Sequence, residues 1–202
     1  IGRKLVSNGL GLEKIGVALD KKGAIVVNEK MQTNLDGIYA IGDVTGKNLL
    51  AHVASHQGVI AADTILGKTV EMHYNAIPAV IFTNPEIAMV GMTSEEAEKA
   101  GFTPTIGKFP FQALGKAVAS AETDGFTQII IDKSTGQILG AQVVGSEASA
   151  LIAEMGLAIA QELTLDCIID TIHAHPTLPE AWHEAALLAN ETPLHLPPKK
   201  KL

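Results

Sequence analysis

Near its C-terminal end the chain reads Ile172-His173-Ala174-His175-Pro176-Thr177-Leu178-Pro179-Glu180, two histidines before a proline turn and a carboxylate where an apolar helical pattern begins. Pro176 biases His175 toward extended backbone, which holds an imidazole at a loop tip within reach of solvent or substrate. An imidazole near its ordinary pKa can take a proton from a thiol of pKa about 8.5 at modest cost, provided the two groups come within hydrogen-bond distance. A carboxylate on one ring nitrogen fixes the tautomer and stabilises the imidazolium formed at the other, and Glu180 is the local candidate. Plainer readings stand beside this one. Thr177-Leu178-Pro179-Glu180 is also a T-x-x-E capping box with proline in the first turn, and the two histidines are equally readable as polar loop residues. His173, His175, Glu180, His183 and Glu184 fall close enough to suggest a metal site, with the last three able to share a helical face. H-E-x-x-H does not occur, however, and Pro176 separates the loop histidines from the helix, so no metal is expected.

A second segment, residues 33–43 (TNLDGIYAIGD), ends a strand-like run in Gly42-Asp43 shortly before another helical pattern. Gly42 permits close backbone approach, and Asp43 can accept hydrogen bonds from a ribose or polyol hydroxyl. The helix starting near Ala51 offers free N–H groups and a positive dipole end where phosphate can sit. A strand-to-helix turn capped by an aspartate accounts for the same residues.

These groups must be positioned by elements that the rest of the chain supplies. With 202 residues and 47% hydrophobic content the chain can bury a substantial core in one large or two small domains. A net charge of −7 argues against nucleic acid and anionic membrane as partners, and Lys199-Lys200-Lys201 is too short to reverse it. Cys167 is the single cysteine, so an internal disulfide, a CxxC redox pair and a cysteine-rich zinc site are excluded within these residues. No apolar run has the length of a membrane span and the first residues lack signal-peptide architecture, so a cytoplasmic location is expected.

Ile1-Gly2-Arg3 reads as the end of a strand in a truncated chain. GAIVVN (residues 23–28) and residues 37–43 read as short strands of a sheet remnant, followed by a helix over residues 51–66 with Gly67 as its stop. A Pro- and Asn-containing connection within residues 71–78 marks a boundary, giving domains over 1–72 and 73–190 and a loose tail over 191–202. In the second domain AVIFT and a turn at Asn84-Pro85 precede a helix opened by the T-S-E-E capping box at residues 93–96 and ended by Gly101. TIGKFPF, GFTQIIID and QILGAQVVG, the last two joined by Lys133-Ser134-Thr135-Gly136, predict an antiparallel meander. Residues 146–163 form a broad apolar helical pattern, with helices to follow over 165–169 and about 179–189. Strands followed by helices read as α+β.

Taken in order, Gly2-Arg3, GLGLEKIGV, TNLDGIYAIGDV, LLAHVASHQG, FTNPEIAMVGMTSEEA, ILGAQVVG and HAHPTLPEA resemble, over essentially the whole chain, the C-terminal portion of the dihydrolipoamide dehydrogenases, in the pyridine nucleotide-disulfide oxidoreductase family. The resemblance implies an α+β dimerisation (interface) domain, with antiparallel sheet and helices, preceded by a remnant of an α/β FAD-binding domain. It implies FAD and NAD as cofactors, oxidation of dihydrolipoamide to lipoamide with NAD as acceptor, and a homodimer serving lipoyl domains of 2-oxo acid dehydrogenase complexes or the glycine cleavage system. By the same resemblance Gly42 and Asp43 meet the ribityl or phosphate part of FAD, Leu50, Ala51 and His52 line the flavin, and Gly2 lies by the nicotinamide nucleotide. His175 is then the base that deprotonates the dithiol and Glu180 its orienting carboxylate, acting on a disulfide and flavin of the other subunit. H-A-H-P-T-L is closer to these enzymes than to glutathione reductase, which shares only H-P-T. Two departures qualify the resemblance: the family's G-x-G-x-x-G loops and C-x-x-x-x-C pair do not occur in these residues, and Ser55-His56-Gln57 stands where acidic residues are the family pattern. These residues alone are therefore expected to be inactive, and the alternative is a free-standing, non-catalytic dimerisation module, whose isologous interface the apolar helix over 146–163 and the meander would form.

Overall fold

A computed structural model describes residues 2–197. Its contacts divide the chain into two units, one ending at Tyr74 and the other beginning at Asn75.

The first unit contains a short helix α1 (Leu12–Ile15), a 3-10 turn (Gly42–Thr45) and the helix α2 (Ala51–Ile65). α2 agrees with the helix expected over residues 51–66, and its inner face buries Val53, Gln57, Ile60 and Ala61. The two expected strands are corrected. Residues 23–28 and 37–43 make only isolated bridges, Leu19 to Ile25 and Gln32 to Tyr39. Their backbone groups are shared among several segments, Ile25 N–H donating to Val44 O and Val26 N–H to Ala18 O. A ladder needs one partner segment of matching length, and these runs do not find one among the described residues.

The second unit is a five-stranded antiparallel sheet in the order β1-β2-β5-β4-β3, formed by β1 (Ala79–Ile81), β2 (Glu86–Gly91), β3 (Pro104–Pro110), β4 (Phe126–Asp132) and β5 (Ile138–Gly145). The expected meander is β3-β4-β5, with Phe109 opposite Thr127 and Ile129 opposite Ala141. Two elements were not legible in the sequence: β2, paired along its whole length with β5, and the short helix α4 (Gly115–Ala119) between β3 and β4. β2 reads EIAMVG, with apolar side chains on both faces, so period-two alternation is weak there.

Alternation on β2, β3, β4 and β5 places Ala88, Val90, Phe109, Ile129, Ala141 and Val143 in one core. Three helices complete this side, α5 (Ala148–Ala160), α6 (Leu165–Asp170) and α7 (Glu180–Ala189), with α5 against β2 and β5 and α7 against β3 and β4. The apolar face of α5 is consumed by this packing: Leu151, Ile152, Met155, Ala158 and Ile159 are buried. That face is committed to its own unit, while Leu157 on the outer side of α5 stays exposed. The other side of the sheet carries a smaller cluster in which Ile130 and Leu139 meet Ala97 of α3 (Ser94–Lys99). The capping box predicted for α3 forms, Thr93 accepting from the Glu96 N–H and Glu96 from the Thr93 N–H. Gly107 of β3 is required by the fold, since a Cβ there would lie 1.9 Å from the carbonyl oxygen of Ala185 in α7.

Candidate active site

α7 is fixed before its side chains do any chemistry. Trp182 is fully buried and its indole N–H donates to Leu151 O at 3.0 Å, tying α7 to α5. Thr127 Oγ1 donates to Ala181 O at 2.7 Å, tying the first turn of α7 to β4. Glu180, the first residue of α7, is thus held from both sides.

The loop from α6 into α7 is shaped by its own polar side chains, Thr177 Oγ1 donating to Ala174 O at 2.6 Å and Thr171 Oγ1 to Cys167 O at 2.6 Å. Glu180 divides its carboxylate between two loop groups, Oε2 accepting the Thr177 N–H at 2.8 Å and Oε1 facing His175 Nδ1 at 2.9 Å. The reciprocal half of the expected capping box is missing, because the Thr177 hydroxyl is spent on Ala174 and Pro179 occupies the cap position. Glu180 therefore serves the turn and the histidine together. Partial burial pushes its carboxyl up, but the Thr177 N–H, the His175 ring and the nearby histidine charges outweigh this and hold it below the usual range. An ionised Glu180 only accepts, so the Nδ1 of His175 donates to it, and in the neutral ring the lone pair is on Nε2. The His175 side chain is 76% exposed, against 22% for Glu180.

Two further histidines held by carboxylates, His173 and His195, line the same cavity of about 510 Å³ in this unit, Glu184 lining it with them and Glu154 reaching His173 from α5. His173 Nε2 meets Glu154 Oε1 at 2.9 Å and its Nδ1 meets Thr171 O at 3.0 Å. The Glu154 hydrogen bond outweighs burial and raises the His173 pKa. His195 Nδ1 meets Glu184 Oε1 at 2.7 Å. His183 lies against His173, ring centroids 5.7 Å apart. Glu180 and Glu184, which the sequence placed near His173, His175 and His183, are each engaged by one histidine, and among the described residues no group of three or more His, Cys, Asp or Glu is arranged to hold a metal.

The stretch read as a loose tail folds back as far as it is described: Thr192 N–H donates to Leu187 O at 2.8 Å, and Leu196 packs on the core. Lys199-Lys200-Lys201 lies outside the described residues. Sequence reasoning missed Glu154 and His195. The four-residue step from Glu180 to Glu184 was a visible signal for a second site on α7, whereas nothing local pointed to residue 195.

The remaining candidates lie in the first unit. Gly42 opens the 3-10 turn at φ 75° and donates its N–H to Gln57 Oε1 at 2.6 Å. Its α-carbon faces α2 so closely that a Cβ would lie 3.3 Å from that of Ala54. Asp43 accepts from Arg3 Nη1 at 3.1 Å and stays half-exposed. Leu50 is extended and precedes α2 without any side-chain cap, and Ala51 and His52 are exposed in the first turn. Gly2 has φ 148° and open space where a Cβ would stand. A half-exposed carboxylate beside an uncapped helix N-terminus suits a polyol and a phosphate, so these residues fit one end of a dinucleotide such as FAD.

The family model described as pyridine nucleotide-disulphide oxidoreductase, dimerisation domain, matches residues 77–186, and the one described as pyridine nucleotide-disulphide oxidoreductase matches residues 1–58. Dihydrolipoyl dehydrogenase of Chlamydia pneumoniae is 58% identical over 199 residues, 98% of this chain and 43% of that protein. The dihydrolipoyl dehydrogenase of Haloferax volcanii is 46% identical over 187 residues, 92% of this chain and 39% of that protein. Among solved structures, LpdA from Mycobacterium tuberculosis superposes with a TM-score of 0.86 at 34% identity, covering 92% of this chain and 41% of that one. The chain thus spans well under half the length of the relatives it matches. No helix among the described residues is long and apolar enough to cross a membrane.

Proposed function

The chain belongs to the pyridine nucleotide-disulphide oxidoreductase family, and from that premise we propose that it is the dimerisation and proton-handling part of a dihydrolipoamide dehydrogenase. The observation that carries this reading is the His175–Glu180 pair at 2.9 Å on the rim of a cavity, with the carboxylate ionised and Nε2 left as a base. His175 takes the thiol proton of dihydrolipoamide, and Glu180 stabilises the resulting imidazolium while keeping the loop in register through Thr177. The thiolate so formed is the nucleophile, for which the protonated thiol is a poor substitute.

FAD and NAD are the proposed cofactors, and FAD when bound passes the two electrons of the dithiol on to NAD. Asp43 and the N-terminus of α2, from Leu50 to His52, would hold the ribityl and phosphate end of FAD, with Gly42 allowing its backbone close and Gly2 near the nicotinamide nucleotide. The enzyme would act as a cytoplasmic homodimer serving lipoyl domains of 2-oxo acid dehydrogenase complexes or the glycine cleavage system. A free-standing dimerisation module accounts for the sheet and its helices, but it has no use for three carboxylate-held histidines around one cavity.

In the flavin-loaded, full-length protein, His175→Gln is expected to depress dihydrolipoamide oxidation by about 10²- to 10⁴-fold, the usual cost of losing a general base. NADH oxidation by an artificial electron acceptor, which removes no thiol proton, should fall far less. Equal losses in the two assays would overturn the assignment of His175 as the base.

A further inference from the structure

α7 carries two glutamates four residues apart, on adjacent turns of one face, and each holds an imidazole by the same nitrogen. Glu180 Oε1 faces His175 Nδ1 at 2.9 Å, and Glu184 Oε1 faces His195 Nδ1 at 2.7 Å. In both pairs Nε2 is the nitrogen left over, and both rings line the one cavity. The His195 ring is 68% exposed while the Glu184 side chain is only 3% exposed. Burying a carboxylate is costly unless it is paired. Both hydrogen bonds of Glu184 among the described residues come from His195, from Nδ1 and, at 3.4 Å, from the backbone N–H. Its neighbours Trp182, Ala185 and Ala186 are apolar and buried, so packing alone would be served as well by an apolar residue at this position. The two pairs are also electrostatically coupled: after partial burial, the Thr177 N–H and His175, the charge of His195 contributes to the state of Glu180.

We propose that His195, held by Glu184, relays to water the proton that His175 is left holding when a dithiol has been oxidised, returning His175 to its neutral form for the next one. The proposal rests on the dithiol-oxidising reading above. Oxidising a dithiol breaks two S–H bonds and forms one S–S bond; two electrons pass to an acceptor disulfide, whose S–S bond breaks and whose cysteines that reading assigns to residues outside this chain. Two protons leave the two thiols, and reducing NAD takes up one of them with the two electrons, so each turnover delivers one proton to water and His175 must be emptied of it before the next dithiol reacts. His195 Nε2 receives that proton and passes it to water, and Glu184 stabilises the transient imidazolium as Glu180 does for His175. The titratable groups facing this relay are Glu180, His183 and Glu184 of α7, and Asp170, His173 and His175 of the segment before it.

The test is dihydrolipoamide oxidation by the full-length holoenzyme, measured across pH in dilute and in concentrated imidazole buffer. His195→Gln is expected to lower kcat by about tenfold in dilute buffer, less than the 10²- to 10⁴-fold cost of removing the base itself, with KM little changed. Concentrated imidazole should restore the rate, because a free buffer replaces a relay but cannot repair a misfolded loop. Glu184→Gln keeps the shape and removes the charge, and it should give a smaller loss restored in the same way. Full activity of both variants in dilute buffer, or losses that imidazole does not restore, would overturn the relay. Run alongside, His175→Gln separates the two levels: if it is inactive while His195→Gln is unaffected, the relay fails and the dithiol reading stands. If His175→Gln keeps full activity, both fail.

Discussion

The two units use the same alphabet of residues differently. In the second unit, strands with alternating side chains stack Ile129, Val143 and Phe109 under Trp182, and helices close the face, so that most polar backbone is consumed in ladders and turns. In the first unit α2 is the one long element among the described residues, and the surrounding segments are held by side-chain-to-backbone bonds. Asp20 Oδ1 accepts from the N–H groups of Lys22 and Ala24, Asn28 Oδ1 from those of Lys30 and Gln32, and Gln57 bridges the Gly42 N–H and the Tyr74 hydroxyl. Val6, Leu10, Ile15, Val59, Ile65 and Leu66 of this unit remain exposed. The contrast separates a region whose shape follows from its own core from one whose shape is pinned by individual polar side chains. The latter suits the proposal that it is part of a larger nucleotide-binding domain, which would cover those aliphatic side chains.

The sharpest way to break the comparison is to damage each kind of support. Trp182→Ala removes the largest fully buried side chain and is expected to cost about 3–5 kcal/mol, read as a lowered denaturation midpoint of the second unit. In the first unit, Gln57→Leu leaves the Gly42 N–H without its partner, at an expected cost of about 1–3 kcal/mol, read as faster amide exchange at Gly42 and along α2. If the glutamine change costs more than the tryptophan change, the distinction between core-built and polar-pinned units is wrong. Thr93→Ala is smaller still: losing the N-cap of α3 should cost about 1 kcal/mol, with Thr93→Ser recovering most of it.

The mildest test uses pH. Asp132 accepts from the Ser134 hydroxyl, from Thr135 and from the Thr103 N–H, and these bonds lower its pKa from 3.8 to about 2. A lowered folded-state pKa means the unfolded chain binds the proton more readily, so the stabilisation is complete above the unfolded value and is lost as pH falls through about 2. Acid denaturation of Asp132→Asn should therefore depend less steeply on pH between about 4 and 2 than that of the parent. Identical pH slopes would show that the β4–β5 turn does not draw on that carboxylate.

How much of this was legible beforehand varied with the range of the interaction. The capping box at Thr93, the helices at α2, α5 and α7 and the β3-β4-β5 meander rest on periodicity and on partners three or four residues apart, which the chain displays in order. β2 was missed because both of its faces carry apolar side chains, and the strands expected over residues 23–28 and 37–43 failed because a strand exists only with a partner. His175 and Glu180 were legible as a pair, being five residues apart across a proline turn, though not the division of Glu180 between His175 and the Thr177 N–H.

By itself the sequence determined the local devices: a proline-bounded histidine loop, a glutamate at the head of a helix, an acidic surface, and the β-rich runs that become β3, β4 and β5. Tertiary structure alone decided which carboxylates His173 and His195 meet. Glu154 reaches His173 from α5, and Glu184 finds His195 after the chain turns back at the end of α7. A buried carboxylate must be paired, but which of the chain's seven histidines pairs with it is set by how the helices pack on the sheet, and that packing is a property of the whole unit.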